Sequence, residues 1–364
     1  MTKDKTSRTL PKGVTLNYGY DAASQLASIT YKNGSTTMGS LTYAYDLAGR
    51  RTGVGGSYAR TGTPPAASSA SYNVNNQLTQ WKGATLTYDA NGNLTSDGTN
   101  TYTWNARNQL VSINGPVPAS FQYDPFGRRV SKTIGGMTQY LYDGANPVQE
   151  ISGTTASANL LTGSLDEYFQ RTDSAGARSF LTDALGSTLA LADSAGTVQT
   201  QYTFEPFGNT SVTGTATTNS FAYTGRELDT TGLYFYRARY YNPQLQRSIS
   251  EDPLGFRGGD ANLYGYVWNS PLNFIDPLGE GGIGLTVGGS AEAGVIAAGA
   301  GATGSLGGGF FFNGLNPFDN PSVGGFASGG PLPAALAGGS RLLLAQARTI
   351  GYLAVLLGAD SMSF

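Results

Sequence analysis

An aromatic residue followed by Asp or Asn, and shortly afterwards by Gly or Asn, recurs along this chain, and that repeat limits what the chain can fold into. It reads Tyr20-Asp21 with Gln25-Leu26, Tyr45-Asp46 with Gly49-Arg50-Arg51, and Tyr72-Asn73 with Asn76-Gln77-Leu78. Tyr88-Asp89 with Gly92-Asn93-Leu94, Trp104-Asn105 with Asn108-Gln109-Leu110, and Tyr123-Asp124 with Gly127-Arg128-Arg129 follow. Tyr142-Asp143 and Phe204-Glu205 with Gly208-Asn209 are looser copies. Adjoining copies lie roughly 16 to 20 residues apart, too short for a paired-helix repeat and right for two strands. Residues before the aromatic alternate, as in Leu86-Thr87-Tyr88, which is strand periodicity. The Asp or Asn then opens a turn, because its side chain accepts from a backbone N–H two residues on. Gly or Asn takes the position that needs positive φ. Each unit is thus a β-hairpin, and a lone hairpin is marginal in water, so the units must stack edge to edge.

Composition agrees and removes whole classes of chemistry. Only 13% of the 364 residues are charged, against 52 Gly and 22 Tyr. Low charge with many glycines and aromatics favours short strands over long surface helices. There is no Cys and no His. Thiolate zinc sites, Cys nucleophiles and His-based triads are therefore excluded, and no cofactor or metal is expected. The net charge of −2 gives no electrostatic reason to expect a nucleic-acid partner. No signal peptide is legible at the N-terminus, and the apolar stretch Ile350–Ala359 is too short to span a bilayer.

The repeat resembles the YD repeat of the RHS family, which includes bacterial polymorphic toxins, the C component of Tc toxins and teneurins. The resemblance runs over roughly residues 15 to 280 and is densest from Leu181 to Gly279. That stretch includes Tyr223-Thr-Gly-Arg-Glu-Leu-Asp229, Gly232-Leu-Tyr-Phe-Tyr-Arg-Ala-Arg-Tyr-Tyr241, and Ser250-Glu-Asp-Pro-Leu-Gly255 through Asp276-Pro-Leu-Gly279, similar to the RHS repeat-associated core. The resemblance implies an all-β fold: a spiral of antiparallel hairpins forming part of a β-shell, with an irregular cap and a Gly/Ala-rich, partly helical tail. The expected divisions are a lead-in at 1–14, repeats at 15–180, the associated core at 181–280, and a variable tail at 281–364. With only about nine copies of the unit, the chain reads as a fragment or short form of such a shell. Within the tail, Ile283, Leu285 and Val287 suggest a strand, and Arg341 to Gly358 an apolar helix.

In that family a DPxG element, a Gly, and a second DPxG mark an aspartyl-type self-cleavage site, with the cut just after the second element. The resemblance assigns Asp252, Asp276 and Arg247 to catalysis, with Glu280 and Gly281 following the cut. Pro253, Gly255, Gly259, Asn262, Pro277 and Gly279 complete the motif. Two adjacent carboxylates suit peptide hydrolysis: they share a proton, so one activates water while the other protonates the leaving nitrogen. Arg247 would hold one carboxylate ionised or polarise the scissile carbonyl. The family usually carries an apolar residue, most often Leu, where this chain has Glu280, which adds a third carboxylate.

The same residues also have plainer readings. Asp-Pro-Leu-Gly is a good turn sequence, and Asp183 is expected to be a turn residue. The cluster Tyr234, Phe235, Tyr236, Tyr240 and Tyr241 reads as packing between cap and shell rather than sugar stacking. Arg237 and Arg239, placed on one face by alternation, are expected to make cation–π contacts. The leading function is encapsulation and self-release of a C-terminal effector, with the chain's own tail as cargo. A delivery apparatus and an immunity protein would be partners of a longer, secreted or surface-associated parent. The alternative is a cell-surface or wall-associated interaction protein that binds a glycan or protein and does not cut itself.

Overall fold

The computed structural model describes residues 6–282 and, as backbone only, the strands Ile283–Thr286, Gly294–Ala297, Gly309–Phe311 and Ser322–Gly324. The apolar helix expected over 341–358 lies outside the described residues. All strand pairing between named strands is antiparallel, and a 14-stranded sheet runs in strict chain order from Thr87–Tyr88 to Thr210–Gly214. A five-stranded sheet, Ser7–Thr9 through Arg51–Gly55, and a three-stranded one, Ala70–Tyr72 through Ala84–Thr85, precede it. A four-stranded cap sheet follows, from Glu227–Leu228 to Arg247–Ser248. The wall strands therefore continue through 181–214, and the cap proper begins only beyond them.

The turns form as the repeat predicts. At Asp89 the carboxylate Oδ1 accepts from the N–H groups of Asn91 (2.9 Å) and Asn93 (2.8 Å), and Gly92 stands at φ +77°. The same pair of bonds recurs at Asp21, Asp46, Asn73, Asn105, Asp124, Asp183 and Asp193. Each turn thus satisfies its own backbone donors locally, without help from the rest of the fold.

The aromatic of the repeat does more than pack. At Tyr20, Tyr45, Tyr72, Trp104, Tyr123 and Tyr142 the strand register slips by a residue. Such bulges bend the strand and re-aim the side chain. The ring's polar tip then donates to a carbonyl of the preceding repeat: Tyr45 to Leu26, Tyr88 to Leu78, Trp104 to Leu94, Tyr123 to Leu110, and Tyr142 to Arg129. The leucines in this series are buried, and Arg129 occupies the slot where the other repeats bury Leu.

That exchange explains how wall and cap meet. Arg129 is fully buried, donates to Glu227 at 2.7 Å and to Asp229, and has the Phe235 ring 4.4 Å away. Lys132 adds a second cation to Asp229 at 2.8 Å. Burial alone would raise the Asp229 carboxyl, but Arg129 and Lys132 hold it below the usual carboxylate range. The cap sheet is covered on both faces. Phe235 and Tyr240 pack against wall residues Leu94, Leu110 and Phe121, while Tyr234, Tyr236 and Tyr241 pack in the cluster of Phe180, Tyr202 and Tyr223. These aromatics are part of the core, as expected of cap-to-shell packing.

Candidate cleavage site

Cap strands Tyr234–Tyr236 and Arg239–Asn242 are joined through Arg237 and Ala238, with Tyr236 paired to Arg239 and Arg237 at φ +56°. The left-handed residue breaks the alternation that would put Arg237 and Arg239 on one face. Among the described residues neither lies over an aromatic ring; each enters ion pairs instead. The second Asp-Pro-Leu-Gly element lies across this turn. Ala238 N–H donates to the Leu278 carbonyl at 3.1 Å, and the Arg237 guanidinium donates to the Pro277 carbonyl. Gly279 stands at φ +71°, where a Cβ would run into the Tyr236 carbonyl and lie 2.9 Å from the Arg239 nitrogen. Only glycine fits there.

Arg239 draws both elements to one point. Its Nη2 lies 2.9 Å from Asp276 Oδ2 and 3.3 Å from Asp252 Oδ2, and its Nη1 donates to the Leu263 carbonyl at 3.1 Å. All three side chains are buried, at 2, 7 and 4% exposure for Arg239, Asp252 and Asp276. Both elements are also turns, so the plain reading of Asp-Pro-Leu-Gly holds beside the chemical one. Asp252 Oδ1 accepts from Leu254 N–H (2.8 Å), and Gly255 N–H donates to the Asp252 carbonyl (2.8 Å). Pro253 sits inside that turn, and the short 3-10 segment beyond it ends at Gly259, φ +84°. Asp276 Oδ1 accepts from the N–H groups of Gly279 (2.8 Å) and Glu280 (3.1 Å). The second of these is the nitrogen of the Gly279–Glu280 peptide bond.

Burial raises the carboxyls of Asp252 and Asp276 above the usual range, with Arg239 opposing. Glu280 is raised as well, by burial first and then by the charges of Asp252 and Asp276. The charges of Asp252 and Asp276 act on each other and on Glu280, so the three carboxyls titrate as a coupled group. Beside Asp252 is a cavity of about 10 Å³, bordered by Gly258, Asp260, Asn262, Trp268 and Gly281. That is close to the smallest space that admits one water.

Arg247 stands elsewhere. It donates to the Asn76 carbonyl at 2.8 Å, lies over the rings of Tyr72 (5.0 Å) and Tyr264 (5.4 Å), and reaches Asn262 Oδ1 at 3.5 Å. Asn262 Oδ1 also accepts from Tyr264 N–H at 3.2 Å, so Arg247 meets the loop carrying Leu263 and not the carboxylates. Arg239 is the cation at the site. Its sequence signal was a charge within a buried aromatic run, which requires a partner without naming it.

A wall of antiparallel hairpins packed against an ion-paired cap sheet defines a shell-type β protein, and at the cap's last turn one guanidinium joins two buried carboxylates. The chain belongs to the Teneurin YD-shell family, whose model matches residues 4–265. It is similar to the tRNA3(Ser)-specific nuclease WapA of Bacillus spizizenii, 32% identical over 72% of this chain and 12% of that protein. It is also similar to the double-stranded DNA deaminase toxin A of Burkholderia cenocepacia, at 28% identity over 73% of this chain and 22% of the toxin. The chain thus spans less than a quarter of these relatives. In fold it resembles a chain of the Photorhabdus luminescens Tc holotoxin pore, with a TM-score of 0.55 at 19% identity over 74% of this chain and 18% of that one. Among the described residues no helix is long and apolar enough to cross a membrane.

Proposed function

We propose that this chain is the closing part of a toxin shell that cuts its own Gly279–Glu280 bond and so frees the segment beyond as cargo. The observation that carries the reading is that one carboxylate, Asp276, touches both the nitrogen of that bond and the guanidinium that also holds Asp252. In the proposed step Asp252, bordering the water-sized cavity, takes a proton from water. The water oxygen bonds to the Gly279 carbonyl carbon, the C–N bond breaks, and Asp276 delivers a proton to the Glu280 nitrogen. The second proton of the water passes to the freed amine, so the products are a Gly279 carboxylate and a Glu280 ammonium, with the aspartate pair's proton left on Asp252. Arg239 keeps the two acids together and lowers the charge they present to each other. Because the substrate is tethered, high effective molarity compensates for modest catalytic groups, and the reaction turns over once. Arg247 acts at one remove, through Asn262 and the loop bearing Leu263.

One relative is named a tRNA nuclease and another a DNA deaminase toxin, which supports a toxic cargo, with a delivery apparatus and an immunity protein as partners of a longer, exported parent. N-terminal sequencing of any released C-terminal fragment tests the assignment of the bond. The reading requires a new terminus at Glu280. A terminus elsewhere removes the role given to Asp276. A chain that never separates leaves the shell as a surface interaction module.

A further inference from the structure

Resting on that self-cleavage reading, we propose that Arg237 is a positioning residue that makes the cut conditional on the wall being closed over the cap. Arg237 Nη1 and Nη2 donate to the Asp166 carboxylate at 2.9 and 2.7 Å, and Nη2 also donates to the Ala145 carbonyl at 3.1 Å. The same guanidinium donates to the Pro277 carbonyl, within the element that leads to the scissile bond. Asp166 and Ala145 both belong to wall turns. Asp166 lies in the turn between strands Thr155–Thr162 and Tyr168–Asp173, at φ +60°. Its N–H is held by Asn146 Oδ1 at 2.9 Å, and Asn146 in turn donates to the Ser164 carbonyl at 2.8 Å. The cap packs on this turn so closely that a Cβ at Gly225 would lie 2.5 Å from the Asp166 carbonyl oxygen.

Charge count separates this role from simple stability. Asp166 is already paired with Arg226, which is buried at 3% exposure. One guanidinium suffices to neutralise one carboxylate, so Arg237 is surplus to that pairing. Its other bonds go to two carbonyls, one on the wall and one on the segment to be cut. When the wall turn is not docked, Arg237 loses both wall anchors and the Pro277 carbonyl loses its fixed position. A misplacement of about 1 Å at a reacting group costs about 100-fold in rate. Cutting therefore waits until the shell has closed.

The test follows self-cleavage of the full chain by pulse-chase in cell-free synthesis. Arg237→Ala slows conversion about 100-fold, while the uncut variant remains folded by limited proteolysis. The vacated site opens to solvent, since the Arg237 side chain is 15% exposed. Millimolar guanidinium added to the purified uncut variant then restarts cutting, and potassium at equal ionic strength does not. Arg237→Lys, which keeps the charge but not the fork, cuts at an intermediate rate. The pH profile of the rescued reaction matches wild type, because the carboxylates are untouched. An Arg237→Ala chain that cuts as fast as wild type overturns this inference while leaving self-cleavage standing. So does a slow variant that guanidinium fails to restart, which makes Arg237 structural only. A wild-type chain that stays whole overturns the reading beneath it.

Discussion

Replacing Arg239 by Met removes the cation that, among the described residues, joins Asp252 to Asp276, and leaves the packing volume nearly intact. Arg239 is 2% exposed and its partners 7% and 4%, so solvent screens little of the loss. Breaking a buried pair by removing one partner costs about 3–5 kcal/mol, a large share of a total stability of about 5–15 kcal/mol. The reference chain is Asp252→Asn, which keeps the pair from Arg239 to Asp276 and, on the proposed mechanism, also stays uncut. Urea unfolding followed by tryptophan fluorescence compares the two, with Trp268 reporting from the site through its bond to the Gly259 carbonyl (3.0 Å). At pH 7 Arg239→Met should be the weaker by about 3 kcal/mol. The sign with pH follows from linkage. Both carboxyls are already raised by burial, and losing the opposing Arg239 raises them further. The folded state then binds protons that the unfolded state has released, so stability falls as pH rises through this range and recovers as it drops. Near the ordinary carboxylate range, about pH 4, the deficit should shrink to about 1 kcal/mol, the hydrogen bond to Leu263 that stays lost. A deficit equal at both pH values, or none at pH 7, would refute the claim that Arg239 is the counter-charge of a buried carboxylate pair.

Glu280→Leu should speed self-cleavage at neutral pH, measured by the same pulse-chase, because it removes a half-buried carboxylate whose charge acts on Asp252 and Asp276; a slower variant would give Glu280 a role in the reaction. Gly279→Ala should leave most of the chain folded but slow the cut by about 100-fold, since its Cβ meets Tyr236 and Arg239 backbone atoms. Arg129→Met should cost about 3–5 kcal/mol, and part of the wild-type stability should vanish in acid. Asp229 is held below its unfolded range, so its contribution is present above that range and lost as pH falls through the folded value; urea midpoints over pH check both. Asp89→Ala strips two turn N–H groups of their acceptor and should cost about 1–2 kcal/mol in the same assay.

What was legible in the sequence was what is local. The turn at Asp89 needs only a short acceptor and a residue at positive φ within four positions, so the repeat spells it out. The two Asp-Pro-Leu-Gly turns are legible for the same reason. What the bulged aromatics bond to was not legible, because the tip of Tyr123 reaches into the neighbouring hairpin. Nor was the burial of Arg129, since in sequence it looks like Arg128 beside it, whose side chain is 38% exposed and pairs with its own turn's Asp124. The two aspartates stand out in the sequence as turn residues of a repeated element, but nothing in the spacing of 252 and 276 shows that one cation joins them, or which one. Arg247 lies five positions before Asp252 and faces Tyr72 and Tyr264, whereas Arg239 reaches both acids from another hairpin. Strand alternation misplaced Arg237 because it assumes a continuous strand, and the chain reverses direction there.

Intact mass of the freshly made full chain, beside Asp252→Asn and Asp276→Asn, tests the central claim most directly. The account predicts two fragments meeting at Gly279 and Glu280 in wild type and one full-length species in each variant. A single full-length mass in all three, or two fragments in all three, would contradict it.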